Sequence, residues 1–311
     1  MEKGLRDYQD GDRVDQNVLI KDADIRTAKN GKPFIALVFS DVTGQITGKF
    51  WAAQPEDIAN FKKGRIVHLK GLREIYQTKP QIRIDKMTVM TNETLKAEDF
   101  VPKAPLPKTD LQSELNAFIF KITEAKWNRI VRYLLNERGD DFFKYPAAKT
   151  NHHAYEGGLA FHTISMLHLA EAMCRQYATI NQSLLYAGII LHDLGKTIEL
   201  SGAETTSYTL AGNLVGHIVL IDEAISRACN ELHFDLDDEK IVILRHVILA
   251  HHGKLEYGSP VIPKILEAEV LHQLDEMDAS VTMISDALNH TPSGHYTQRI
   301  FAMDQRQFYK P

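Results

Sequence analysis

Cysteine is almost missing from this chain of 311 residues. Cys174 and Cys229 are the two present, and they form no C-x-x-C pair. That excludes a disulfide framework and a thiolate zinc cage; both fall in apolar, helix-like stretches and read as small buried residues. Long hydrophobic runs are missing too. No stretch approaches the roughly 18 apolar residues of a membrane span, and the N-terminal MEKGLRDYQDGDRV is polar, without a secretory apolar core. A cytoplasmic, reducing setting is expected. There is no internal repeat, no low-complexity tract and no large charge of one sign: a net charge of −5 argues against wholesale, non-specific attraction to nucleic acid. What remains, at 44% hydrophobic and 25% charged residues, is a soluble globular chain long enough for two domains.

The charge is divided unevenly. Residues 1–100 hold 17 Lys+Arg against 15 Asp+Glu, and the rest hold 19 against 26. The slightly basic part reads as strands. Val18-Leu19-Ile20, Phe34 to Phe39, Ile46 to Trp51, Ile66 to Gly71 and Ile82-Arg83-Ile84 are short β-rich runs. They are separated by the turn signals Asn30-Gly31-Lys32-Pro33, Asp41-Val42-Thr43-Gly44 and Lys63-Gly64. About five strands with one short helical insert, Pro55 to Phe61, match an OB-fold barrel, whose exposed face commonly holds single-stranded nucleic acid. Such a groove needs aromatic rings to stack bases and cations to neutralise phosphates. Phe34, Phe50, Trp51 and Tyr76, with Lys29, Lys32, Lys49, Arg73, Lys79 and Arg83, are of the required types. Phe34, Trp51, Lys49, Arg73 and Arg83 are the expected strand contacts. Any one of these aromatics is equally at home in a barrel core, because alternation alone does not say which face is outward.

Val101-Pro102-Lys103-Ala104-Pro105-Leu106-Pro107-Lys108 has the composition of a semi-rigid extended connector. It divides the chain into a first domain over 1–92, a linker over 93–108 and a second domain over 109–311. In the second domain the period becomes helical. Leu111 to Ile122, Trp127 to Asn136, Leu159 to Tyr177, Gln182 to Leu191, Leu214 to Leu232, Asp237 to Leu249 and Lys264 to Leu288 carry apolar residues at i, i+3, i+4 spacing. The fold class expected is therefore an all-β OB-fold barrel followed by an all-α domain.

The helical part contains a spaced set of metal-type ligands: His162, His192-Asp193, His217, His251-His252 and Asp275, with Lys196 three residues after Asp193. A lone histidine on an apolar helix is usually a hydrogen-bonded core residue, so only the joint pattern carries weight. Neutral imidazoles and carboxylates suit divalent transition ions, and a carboxylate such as Asp193 has two oxygens with which to bridge a pair of them. Upstream of His162, the run Asn151-His152-His153-Ala154-Tyr155-Glu156-Gly157-Gly158 could line a substrate entrance, its two glycines allowing close backbone approach. His152 and His153 are open to a substrate role or to a turn and capping role.

His162, His192-Asp193 and Asp275 resemble the H…HD…D pattern of the HD-domain metallophosphohydrolases, with Lys196 completing an HDxGK extension. His217 and His251-His252 resemble the extra histidines of the dinuclear subclass. The order of OB domain then HD domain, over nearly the whole chain, is similar to the YhaM-type 3′-to-5′ exoribonucleases. The resemblance implies two divalent ions, Mn²⁺ foremost with Fe²⁺ or Co²⁺ as alternatives. One would be held by His162, His192, Asp193 and Asp275, the other by Asp193, His217, His251 and His252. Asp275 and Asp278 lie one helical turn apart, and the spacing in related domains puts the ligand first, leaving Asp278 as a supporting group or a substrate contact. Asp193 and Lys196 are the implied catalytic pair, Lys196 neutralising charge on the phosphoryl oxygens.

The reaction implied is hydrolysis of single-stranded RNA from its 3′ end to nucleoside 5′-monophosphates, with single-stranded DNA as a further substrate and no membrane partner. A homo-oligomer is expected, and the aromatic tail from Tyr296 to Pro311 could dock on a neighbour or fold back on its own domain. The competing reading is an HD phosphohydrolase for small or cyclic nucleotides with a regulatory OB domain. It is weakened by Gly253-Lys254-Leu255-Glu256-Tyr257-Gly258 after the histidine pair, where the cyclic-di-GMP subclass has Gly-Tyr-Pro. A single-strand-binding protein with a decayed HD domain is weakened by the presence of every expected ligand.

Overall fold

The structure, a computed structural model, describes residues 3–76, 79–92, 94–149 and 153–311; His152 lies outside them. Its contacts divide the chain into two compact units, Met1–Lys103 with Ala203–Thr206, and Ala104–Gly202 with Ser207–Pro311.

The first unit is a closed barrel of β1 (Arg13–Thr27), β2 (Pro33–Asp41), β3 (Gly44–Trp51), β4 (Ile66–Tyr76) and β5 (Lys79–Val89), in the order β1-β2-β3-β5-β4. A short helix, α1 (Pro55–Asn60), joins β3 to β4 and starts on a proline suited to a first helical turn. Each strand read from the sequence is present. Strand β1 is long because it serves two neighbours: Arg13–Leu19 pairs with β4 and Leu19–Thr27 with β2. The register shifts between Ile20 and Asp22, so Lys21 is the extra residue of a bulge that bends the strand round the barrel. Alternation sends Val18, Ile20, Leu37, Phe39, Val67, Leu69 and Ile82 into the core, each no more than 1% exposed. Burying such a side chain is worth about 1.5–3 kcal/mol.

The second unit is helical: α2 (Lys108–Phe120), α3 (Ala125–Phe142), α4 (Gly158–Gln176), α5 (Gln182–Leu191), α6 (Lys196–Glu199), α7 (Leu210–Leu214), α8 (His217–Glu231), α9 (Glu239–Leu249) and α10 (Leu266–Asn289), closed by a hairpin of β6 (His295–Tyr296) and β7 (Tyr309–Lys310). Every residue of α5 from Ser183 to Leu191 is buried, which makes it the central helix. Its Gly188 lies where a Cβ would come 2.6 Å from Val247, so glycine there lets α9 pack close. The helix expected from Leu214 to Leu232 is interrupted. Gly216 adopts φ +81°, a conformation open to glycine, and α8 restarts at His217. Cys174 and Cys229 are free and at least partly buried. Among the described residues no helix is long and apolar enough to cross a membrane.

Candidate metal centre and strand-binding face

Five histidines from four parts of the helical unit meet round Asp193. His162 lies on the inner face of α4, His192 ends α5, His217 begins α8, and His251-His252 follow α9. In each ring Nδ1 is tied to an acceptor. His192 Nδ1–H donates to the Ile189 carbonyl at 2.8 Å, His251 to Ile248 at 2.7 Å and His252 to Tyr257 at 2.7 Å. His217 Nδ1–H donates to Glu199 Oε1 at 3.0 Å, and His162 Nδ1–H to Asp278 Oδ2 at 2.7 Å. An acceptor on Nδ1 fixes the tautomer and leaves Nε2 as the outward ligand atom, the arrangement found round metal-bound histidines.

Those Nε2 atoms converge. Asp193 Oδ2 is 3.4 Å from His192 Nε2 and 3.9 Å from His162 Nε2, while Oδ1 is 3.4 Å from His217 Nε2 and 3.9 Å from His251 Nε2. The two carboxylate oxygens therefore face two separate histidine pairs. Asp275 Oδ1 is 3.2 Å from His162 Nε2, whereas Asp278 lies on the opposite, Nδ1 side of that ring. The atoms of His217, His251 and His252, and those of His162, His192 and Asp193, lie close enough together to hold a cation. Asp193 Oδ1 and the Nε2 atoms of His192, His217 and His251 are buried without a hydrogen bond among the described residues. Buried polar atoms left in this way are costly unless something binds them, and nitrogen and carboxylate donors together fit a divalent ion.

Electrostatics point the same way. Burial and the neighbouring imidazoles of His252, His192 and His217 hold His251 well below its usual range, in the neutral form a metal ligand needs. Burial likewise lowers His252, with His217 adding to the effect. Burial works against the charges of both Asp193 and Lys196, but their mutual attraction at 2.6 Å prevails, keeping the carboxylate ionised and the ammonium protonated. At His162 burial is again opposed, by Asp275 and Asp278, which together raise the imidazole to about 9. A site that draws a proton so strongly is one that would draw a cation.

Local sequence explains the assembly. Gly195 lies where a Cβ would stand 2.3 Å from the His217 carbonyl oxygen, and Gly158 where it would stand 2.0 Å from that of His153. Neither position has room for a methyl group. Glu199 was not among the sequence candidates; it accepts both the His217 backbone N–H and Nδ1–H at 3.0 Å. Its spacing, a glutamate three residues after Lys196, is a weak signal by itself. His153, open in sequence to a substrate or a turn role, and Asp278, open to a supporting or a substrate role, are buried at 4% and 6% exposure and bonded within the site. His153 Nε2 donates to Asp278 at 2.8 Å and its Nδ1 meets the Tyr155 hydroxyl at 2.7 Å, so both stand behind His162.

In the barrel, register places Phe34 opposite Trp51 and Lys49 opposite Arg83. Phe34 and Trp51 lie with ring centroids 4.7 Å apart, Trp51 is 57% exposed, and Lys49 Nζ sits 4.9 Å from the Tyr76 ring. Arg83 is exposed on the same face. Arg73 is not: Leu72 is the register partner of Arg83, so Arg73 projects the other way, with its side chain 16% exposed and 3.8 Å from Asp10.

Residues 159–280 match the HD domain family, and residues 19–90 match the OB-fold nucleic acid binding domain family. Proteins named 3′-5′ exoribonuclease YhaM from Listeria welshimeri, Listeria monocytogenes and Listeria innocua are each 45% identical over 312 residues, covering 100% of this chain and 99% of theirs. The second OB-fold domain of replication protein A from Methanococcus maripaludis aligns with 30% of this chain and 98% of its own, at 19% identity and a TM-score of 0.24.

Proposed function

This chain belongs to the family of the 3′-5′ exoribonuclease YhaM, and on that premise we propose that it hydrolyses single-stranded RNA from the 3′ end to nucleoside 5′-monophosphates. The observation that carries the reading is the set of five imidazoles anchored through Nδ1, four of them facing the two oxygens of Asp193 and the fifth, His252, grouped with His217 and His251. Two divalent cations would be held, one by His162, His192, Asp193 and Asp275, the other by Asp193, His217, His251 and His252. The donor set suits Mn²⁺, Fe²⁺ and Co²⁺, of which we favour Mn²⁺. When bound, such a pair supplies a nucleophilic hydroxide near neutral pH and neutralises charge at the phosphodiester.

The rest falls to the chain itself. Asp193 holds the two halves of the ligand set at fixed separation, and Lys196, charged and beside it, offsets negative charge growing on the phosphoryl oxygens. Phe34, Trp51, Lys49 and Arg83 grip the strand by stacking and phosphate contact. We assign residues 1–92 to strand capture, 93–108 to the connector and 109–311 to hydrolysis, in the cytoplasm. No residue is assigned to the 2′-OH, so single-stranded DNA is a further substrate in this reading. Self-association belongs to it as well. Residues 205–221 contain no charged side chain, yet Tyr208, Leu210, Leu214, Val215 and Val219 are exposed. A second copy can cover such a surface without like-charge repulsion.

The test is incubation with Mn²⁺ and a 5′-labelled single-stranded RNA, a 3′-blocked copy, and a panel of mononucleotides and cyclic dinucleotides. A ladder shortening only from the free 3′ end supports the proposal; intact RNA with nucleotide turnover transfers the chain to the small-nucleotide phosphohydrolases.

A further inference from the structure

The chain turns from acidic to basic at the end of α10. Residues 101–288 carry 16 Lys+Arg and 25 Asp+Glu, whereas residues 289–311 carry Arg299, Arg306 and Lys310 against Asp304 alone. The basic segment is folded. Tyr296 pairs with Tyr309 and His295 with Lys310 across β6 and β7. Thr297, 1% exposed, donates its N–H to the Phe308 carbonyl at 2.8 Å and accepts the Phe308 N–H on its hydroxyl at 3.0 Å. The hairpin is moored to α10: Lys310 Nζ donates to the Leu288 carbonyl at 2.9 Å and the Thr291 hydroxyl to that of Ala287 at 2.7 Å.

On this small scaffold Tyr296 and Tyr309 stand 66% and 52% exposed with their rings 5.2 Å apart. Their cationic neighbours are bound to neutral acceptors, Arg299 to Gln305 and Arg306 to the Met303 carbonyl. Among the described residues, neither guanidinium is paired with a carboxylate. Exposed rings held on a hydrogen-bonded frame, interleaved with uncancelled cations, are what a base-stacking and phosphate-binding surface consists of, and a planar base fits the paired tyrosines without sequence preference.

We propose that the C-terminal hairpin, through Tyr296, Tyr309, Arg299 and Arg306, is a second grip on the single-stranded RNA, separate from the barrel face. The inference rests on the reading of this chain as acting on RNA strands. Along α10, Asp275 and Asn289 are about 21 Å apart at 1.5 Å per residue, or roughly six nucleotides of stacked strand at 3.4 Å each. The grip therefore engages nucleotides upstream of the scissile end, and strands shorter than that span do not reach it.

Anisotropy with fluorescein-labelled oligouridylates of about 20 and about four nucleotides brackets that span. Measured on the full chain in EDTA, it reads binding without turnover. Tyr296→Ala is expected to weaken the long strand at least roughly fivefold, the low end of one base stacked on a ring, and to leave the short one unchanged. Tyr296→Phe keeps the ring and is expected to restore wild-type binding. Arg299→Gln with Arg306→Gln is expected to flatten the salt dependence, by roughly 0.7 in slope per lost phosphate contact.

Wild-type affinity of Tyr296→Ala for the long strand overturns the proposal, as does an equal loss on both strands. Sedimentation in which Tyr296→Ala dissociates an oligomer while RNA affinity per chain is kept also overturns it and assigns the hairpin to a second copy. A wild-type chain that binds the long strand but never shortens it with Mn²⁺ defeats the nuclease reading and leaves the grip standing.

Discussion

His162 donates its Nδ1–H to Asp278 Oδ2 at 2.7 Å, while its Nε2 faces Asp275 Oδ1 at 3.2 Å. One ring thus stands between two carboxylates: Asp278 sets the tautomer through Nδ1, and Asp275 faces Nε2. Asp278→Asn keeps the shape and halves the accepting capacity. Mn²⁺ affinity, by isothermal titration calorimetry, is expected to fall about 10- to 100-fold, as for other losses of an outer partner to a ligating histidine. Unchanged affinity in a folded variant removes Asp278 from the site.

Glu199→Gln tests the corresponding support on the other side. Both His217 N–H groups bond the same oxygen, Oε1, which a glutamine still supplies, but the negative charge that strengthens both bonds is lost. A drop in Mn²⁺ affinity of about 10- to 100-fold is expected, with stoichiometry falling toward one ion per chain at limiting metal. Full retention of two tightly bound ions contradicts the role.

Asp193→Ala separates chemistry from capture. RNA hydrolysis is expected to fall by at least about a hundredfold, since the residue shared by both ligand groups is gone. Anisotropy with labelled RNA is expected to change by less than about twofold, because the barrel face is independent. Substantial residual turnover rules out the shared role. Trp51→Ala should do the reverse, weakening binding by about 1–3 kcal/mol while metal titrations stay as in the wild type.

Lys21 makes a pH-dependent prediction for the barrel. The residue is 5% exposed and its buried ammonium has no hydrogen-bond partner among the described residues; burial, reinforced by Lys63, lowers it to about 8 from 10.5. Between those values the unfolded chain binds the extra proton, so barrel stability rises with pH from about 8 to about 10.5. Below about 8 the full cost of the buried charge, about 3 kcal/mol, is present. Lys21→Met is expected to raise the barrel transition in calorimetry at pH 7 and to abolish its rise toward pH 10. A destabilised, still pH-dependent variant contradicts this.

The barrel strands and most of the helices were legible because periods of two and 3.6 are local properties. That these histidines and aspartates would come together was legible because His192-Asp193 with Lys196 is a compact motif and the remaining histidines fall in helical contexts. What escaped was tertiary. Arg73 and Arg83 look alike in sequence, and only strand register turns one outward. Nothing near His217 announces that Glu199, 18 residues earlier, would hold its ring. His153 reads as an exposed loop histidine until the fold buries it against Asp278. The break before α8 follows from a single backbone angle at Gly216.

The seat of Gly195 against the His217 carbonyl leaves no slack between the HD turn and the start of α8. Swapping hydrogen for methyl there would act as a wedge, levering the His217 ring outward and widening the gap across Asp193 without altering a single donor atom. Spacing in this cluster is thus governed by steric volume at a residue that has no side chain of its own.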